Sequence, residues 1–383
     1  MISQSEQKDK LTSETLDVLR FPMVVVVVFI HYQFYNGTHP SADTTFAQDA
    51  YHICYLLFQK ILSLPAVPIF FTISGYYFFF RLKDFNLSVY GRKLKSRLHT
   101  LLIPYVLWCL IYVFRSLPNL ITLASTASDI LVSLFRKIID PHIYYDSYQW
   151  NTNIINWFGQ MPVHSTSPLS VPLWYVRDLM VLVLLTPVLY FVLKRKALRI
   201  VFMSIVAFCL FSGVWPDIHG LNPVGLFYFS AGACFALSHT DLCSAIYPFR
   251  RLFYVSYAIS LPVYTYLLHV GYAFPYGVRE VWTLIAALTY ICFAYRLVSQ
   301  HGVRRNSFLV SSVFFVYVFH FFIIGIPGRI FPFTASHDPL IDISIYFYNV
   351  FLTVVSCLVV YYLLSRFMPR LCSVLTGNRR NKR

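Results

Sequence analysis

The stretch Arg20-Phe-Pro-Met-Val-Val-Val-Val-Val-Phe-Ile-His31 decides how the chain is read. It lies within 18–36, a run long enough to cross a bilayer, which takes roughly 20 mostly apolar residues. A polar lead, Met1 to Asp17, precedes the run, and it lacks a clear small-residue cleavage site. It therefore reads as a retained helix and not as a cleaved signal peptide. Comparable segments follow at 62–80, 98–117, 173–193, 198–215, 222–239, 252–270, 280–297, 308–326 and 341–367. The expected fold is all-α, a polytopic integral membrane protein with about ten transmembrane helices.

Composition agrees. Of 383 residues, 57% are hydrophobic and 12% charged, about half the charged share of an ordinary soluble domain. Aromatic residues reach 19%, too much apolar surface for one water-soluble core of this length. Lipid removes the difficulty by replacing a core on the outside of each helix. One membrane domain is expected over 18–367, between an N-terminal segment 1–17 and a basic tail 368–383. The 8 cysteines are scattered without a CxxC pair, and no intramolecular disulfide is expected.

A net charge of +15 would suggest nucleic acid in a soluble protein. Here it follows the positive-inside rule, and no nucleic-acid partner is expected. The 81–97 connection carries Arg81, Lys83, Arg92, Lys93, Lys95 and Arg97, and 194–199 carries Lys194, Arg195, Lys196 and Arg199. Arg250, Arg251, Arg296, Arg304, Arg305 and the basic tail continue the alternation. Both termini are accordingly placed in the cytoplasm. The long connection 118–172 becomes an extracytoplasmic insert, with an amphipathic helix expected around 121–138. Its His142, Tyr144, Tyr145, Tyr148, Trp150, Trp157 and His164 suit either sugar contact or an interfacial aromatic belt, and the belt is the plainer reading.

Ionisable residues inside spans are costly, so they are the default functional candidates. Arg20 and His31 are close to three helical turns apart, on one face and separated by a rise of roughly 16 Å. Arg20 alone reads as a cation snorkelling to the headgroups. His31, in apolar surroundings, suits a general base or a structural hydrogen bond about equally. His320 reaches a similar depth in the ninth span, with Tyr317 on nearly the same face. Ser74-Gly75 offers a site of close helix approach before it offers a nucleophile. Trp174, Arg177 and Asp178 open the fourth span, where the charged pair either binds polar substrate or anchors the helix end. No HExxH and no ligand-spaced His or Cys pair occurs, so no metal is expected. A phosphate loop and a GxSxG elbow are absent as well, which leaves nucleotide-driven pumps and hydrolases of those types without support.

In order along the chain, these stretches resemble the membrane acyltransferase-3 family. Arg20 and His31 match its Arg-x10-His pattern. Further matches are Pro68-Ile-Phe-Phe-Thr-Ile-Ser-Gly-Tyr-Tyr77, Lys93-Leu-Lys-Ser-Arg97, Leu101-Leu-Ile-Pro-Tyr-Val-Leu-Trp108, Pro172-Leu-Trp-Tyr-Val-Arg-Asp-Leu179 and Phe314-Phe-Val-Tyr-Val-Phe-His320. The family's pair of arginines three apart is imperfect here, with Arg92 and Lys95, or Lys93 and Arg97, as the nearest equivalents. The resemblance implies transfer of an acyl group, usually acetyl, from a cytoplasmic acyl-CoA to a glycan hydroxyl. It implies residence in a bacterial inner membrane, His31 and Arg20 as catalytic residues, and the 92–97 cations against the donor's phosphates. Acyl-CoA, a carbohydrate acceptor and the bilayer are then the partners, and no cofactor is permanently bound. A transporter or flippase for a lipid-linked sugar is the rival reading, since it too needs polar residues in a helix bundle.

Overall fold

The structure, a computed structural model, describes residues 4–32, 45–82, 84–115, 126–156, 159–216, 218–326 and 338–377, with 117, 118 and 121. Helix α1 spans Gln4–His31. Helix α2, Phe46–Tyr55, runs through a π-helical stretch at Leu56–Ile61 toward α3, Ala66–Phe79. Next come α4, Leu87–Arg97, a second π-helical stretch at Leu98–Leu102, and α5, Ile103–Arg115. The insert holds α6, Ala127–Ile139, α7, Pro141–Tyr145, and a hairpin of β1, Tyr148–Asn156, and β2, Gly159–Ser167. Helices α8, Trp174–Leu184, and α9, Thr186–Lys194, follow, then α10, Lys196–Ser212, and α11, Pro223–Leu237. The chain closes with α12, Leu242–Ile246, α13, Arg250–His269, α14, Tyr276–Gln300, α15, Ser307–Ile323, α16, Pro339–Phe367, and α17, Pro369–Thr376.

Helix lies on every one of the expected apolar segments, so the all-α membrane class holds. Among the described residues, four helical stretches, 46–79, 87–115, 276–300 and 339–367, are long and apolar enough to cross a membrane. Helices α8 and α9 form a further candidate span bent by 62°, while α11 and α15 are shorter apolar helices. The bend has a local cause. Pro187 lacks an N–H and crowds the carbonyl four residues back, and Thr186 Oγ1 donates to that Val183 carbonyl at 2.7 Å.

The described residues before 18 and after 367 are more integrated than their polarity implies. Helix α1 is continuous across residues 17 and 18, and Thr12, Thr15, Leu16 and Asp17 are buried. Helix α17 packs on α5, where Trp108 Nε1 donates to the Leu375 carbonyl at 3.1 Å. All eight cysteines are free thiols.

The insert's helix begins later than expected, at Ala127. Thr126 caps it, accepting from the Asp129 N–H while the Asp129 carboxylate accepts from the Thr126 N–H. Leu131, Phe135 and Ile139 are exposed along one side, the face an interfacial helix would lay into headgroups. The aromatic segment after it forms the antiparallel hairpin, with Tyr148 opposite Ser167 and Asn156 opposite Gly159. Its Tyr144 and Tyr145 hydroxyls are occupied by the carbonyls of Ile138 and His219. His142 Nδ1 lies 2.5 Å from Asp146 Oδ1. Trp157 falls outside the described residues, as do the side chains of Trp150 and His164.

Helices α3 and α11 make the most extensive helix–helix contact in the fold, and two glycines permit it. A Cβ on Gly75 would lie 1.9 Å from the Phe229 carbonyl oxygen, and one on Gly232 would lie 2.1 Å from that of Thr72. Both obstacles are backbone, so neither can swing aside. Gly232→Ala should therefore force the helices apart and cost about 1–3 kcal/mol, the usual range for overpacking. Thermal unfolding in detergent checks it: an unshifted midpoint would mean that the pair separates freely.

Candidate active site

A cavity of about 360 Å³ opens among α1, α3, α4, α8 and α15. Its charged wall consists of Asp17 and Arg20 from α1, Arg97 from the end of α4, and Arg305 just before α15. Ser74, Tyr77, Tyr175 and Tyr317 add hydroxyls, and the rest of the lining is apolar. Three guanidiniums against one carboxylate make this an anion-attracting site.

Asp17 organises the cations. Its Oδ1 accepts from Arg20 at 2.8 Å, one helical turn away, and its Oδ2 accepts from Arg305 at 2.8 Å. Arg20 also stacks over the Tyr77 ring at 5.4 Å, and Glu14 Oε2 accepts from the Arg305 backbone N–H at 3.2 Å. Arg97 is different: among the described residues it forms no ion pair and no hydrogen bond, lying only against the Phe78 ring at 6.0 Å. A cation left this way beside bridged neighbours is the one most ready for a bound anion.

Helical phase separates the 92–97 cations. Lys93 and Arg97, four apart, share the side that faces the bundle, whereas Arg92 and Lys95 are exposed. Lys93 is committed to structure, since its Nζ donates to the Phe78 carbonyl at 2.6 Å. Of the four, only Arg97 lines the cavity. The π-helical stretch Leu98–Leu102 begins directly after it, and such stretches recur at functional sites.

The two intramembrane candidates, His31 and His320, meet. His31 and His320 have ring centroids 5.3 Å apart, with Phe321 packed on His31 at 5.4 Å. His320 is wholly buried, and its Nδ1 lies 2.9 Å from the Val316 carbonyl. A carbonyl only accepts, so that nitrogen carries the proton. Nε2 is then the basic nitrogen, and it has no hydrogen-bond partner among the described residues. His31 is half-buried and ends α1. Tyr317 connects this pair to the cavity: it lines the cavity wall and its ring lies 6.5 Å from that of His320. Its hydroxyl is fixed on the Pro172 carbonyl.

The remaining expected residues divide. Ser74 Oγ lies in the cavity wall 3.1 Å from the Tyr175 hydroxyl. Trp174 packs against Phe71, with ring centroids 6.4 Å apart. Arg177 and Asp178 are buried and pair with each other at 2.9 Å. Arg177 donates to the Tyr145 carbonyl at 2.6 Å and to the Thr166 carbonyl at 3.0 Å, while Asp178 accepts from Asn222. Their groups are spent on fastening the insert to the bundle. Asp17 and Arg305 are the charged cavity residues that sequence reasoning did not single out as site candidates, while Tyr77 and Tyr175 appeared only within longer matched stretches. Asp17 counted as polar lead and Arg305 as one more orientation charge, and their pairing across 288 residues of chain leaves no local signature. Among the described residues, no group of three or more His, Cys, Asp or Glu is arranged to hold a metal.

Residues 14–366 match the model of a family described as "Acyltransferase domain". The chain is also 22% identical over 386 residues to the succinoglycan biosynthesis protein ExoH of Rhizobium meliloti (strain 1021), covering 97% of this chain and 94% of that protein. No solved structure matches it.

Removing the bridging carboxylate should expose its importance. Asp17→Asn removes the carboxylate paired with Arg20 and the shorter of the two paired with Arg305, which keeps Glu14 at 3.8 Å; for fully buried pairs such a loss costs several kcal/mol. Both arginines are partly exposed, so the expected loss is about 1–3 kcal/mol. Thermal unfolding should show it, along with partial recovery on adding an anion such as pyrophosphate. A midpoint equal to wild type without added anion would deny Asp17 this role.

Proposed function

The chain belongs to the acyltransferase-3 family, and we propose that it moves an acyl group, acetyl in the first instance, from cytoplasmic acyl-CoA to a glycan hydroxyl. One observation carries the reading. The cavity is lined by Arg20, Arg97 and Arg305 and also by Tyr317, one helical turn short of His320, whose neighbour is His31. A donor with anionic phosphates and a long thioester arm has that polarity.

In the proposed reaction Arg97, with Arg20 and Arg305, takes the donor's phosphates through charge-assisted hydrogen bonds. The arm lies along α1, whose rise from Arg20 to His31 is roughly 16 Å. The acceptor hydroxyl gives its proton to His31 as its oxygen adds to the thioester carbonyl. Collapse of that adduct breaks the carbon–sulfur bond, and the imidazolium returns the proton to the departing thiolate. His31 is the better placed base because it is half-buried, whereas His320 is wholly enclosed. His320 then supports it from behind. Apolar surroundings exclude water, which would otherwise hydrolyse the thioester.

The positive-inside pattern supports placing the arginine end at the cytoplasm, with about ten crossings, both termini inside and the 118–172 insert outside. A bacterial inner membrane fits that arrangement. The biosynthetic role printed for ExoH, in succinoglycan, supports a carbohydrate acceptor. An acyltransferase family lends nothing to the transporter reading.

Purified protein in lipid vesicles, given labelled acetyl-CoA and the host's surface glycan, tests the reaction. Wild type should form labelled ester, and His31→Gln should lose on the order of 100- to 10,000-fold in rate while folding normally. Near-normal turnover by His31→Gln removes it from the chemistry and transfers the role to His320. In the same assay Arg97→Gln should weaken acyl-CoA binding about 10- to 100-fold, the worth of a hydrogen bond to a charged group. Unchanged donor affinity would leave Arg97 as an orientation charge.

A further inference from the structure

A second cavity, of about 240 Å³, lies where the start of α13 meets the end of α14. Tyr247, Arg250, Arg251, Tyr254, Arg296 and Gln300 line it, and none of these lines the first cavity. No carboxylate is among them. Among the described residues none of the three arginines forms an ion pair. The side chains order one another instead. Arg250 stacks on the Tyr247 ring at 4.4 Å, Gln300 donates to the Tyr247 hydroxyl at 3.0 Å, and Arg296 Nε donates to Gln300 Oε1 at 3.3 Å. The positive-inside rule explains cations in this connection. It does not explain why three converge on one recess, where like charges repel until an anion joins them.

A second, independent feature begins beside the recess. Leu252, Val255, Ile259, Val263 and Tyr266 are all exposed, and their spacing puts them on one face of α13. This apolar stripe starts at the residue after Arg251 and runs along the helix away from the cavity.

We propose that the recess binds the phosphate headgroup of an anionic glycerophospholipid, whose acyl chains lie along the α13 stripe. The assignment rests on the membrane reading of the chain and is independent of acyl transfer. Basic pockets between membrane helices on the cytoplasmic side bind such headgroups. A free phosphate would satisfy the arginines equally, but would leave the stripe beside them unused.

Native mass spectrometry of the full chain in detergent, titrated with phosphatidylglycerol or phosphatidylcholine, tests the site. Phosphatidylglycerol should bind preferentially. The triple variant Arg250→Gln, Arg251→Gln, Arg296→Gln should bind it roughly tenfold more weakly or worse, with phosphatidylcholine unchanged. A control triple variant, Lys194→Gln, Arg195→Gln, Lys196→Gln, removes equal charge from residues that line neither cavity and should bind like wild type. If the pocket variant fails to fold, Arg296→Gln alone should still show a measurable part of the loss. Equal losses in the two triple variants, or none in either, would reduce these arginines to diffuse orientation charges and overturn the proposal. Millimolar inorganic phosphate that raises the unfolding midpoint as far as the lipid does would mark a soluble-phosphate site and overturn the lipid assignment.

Discussion

The contact of α3 with α11, backbone against backbone at Gly75 and Gly232, is the constraint on which the site depends. Lipid tails are as apolar as the helices, so burial of apolar surface does little to hold membrane helices together; close packing must do so. Small residues allow that packing. The residues flanking Gly75, namely Ser74, Tyr77 and Phe78, form one wall of the arginine cavity, and Phe229 of α11 touches the same space. Prising α3 from α11 would open the cavity from its side.

Helix α1 supplies the second element, a spine with a polar group at each functional depth. Asp17 and Arg20 stand midway along it and His31 at its end, and their relative phase follows from helix geometry alone. The arginines could not sit in an apolar bundle without compensation. Asp17 provides it for Arg20 and Arg305, leaving Arg97 as the cation of this cavity without an ion-pair partner among the described residues. This selective neutralisation keeps the cavity both stable and receptive to an anion.

How much of this was legible in the sequence depends on range. The helices followed from composition, because a run of apolar residues of bilayer length has one stable answer in lipid. Arg20 and His31 were legible as a pair because one helix fixes their spacing. The choice between Arg92 with Lys95 and Lys93 with Arg97 was not, since it depends on which side of α4 meets the bundle. Asp17 and Arg305 were opaque for a stronger reason: the bond that gives them meaning joins residues 288 positions apart. For Arg177 and Asp178 the sequence left substrate binding and helix anchoring equally open, and the contacts that favour anchoring reach into the insert. The hairpin from Tyr148 to Ser167 was hidden by its polar and aromatic composition, which reads as well for a loop.

The most direct measurement is an electron cryo-microscopy map of the full chain in lipid nanodiscs with a non-hydrolysable thioether of acetyl-CoA. Diphosphate density should lie within hydrogen-bonding distance of Arg97, between Arg20 and Arg305, with the thioether reaching past Tyr317 toward His31 and His320. Phosphate density at Arg250, Arg251 and Arg296 instead, or an acyl end pointing away from the two histidines, would contradict the assignment of this cavity as the donor site.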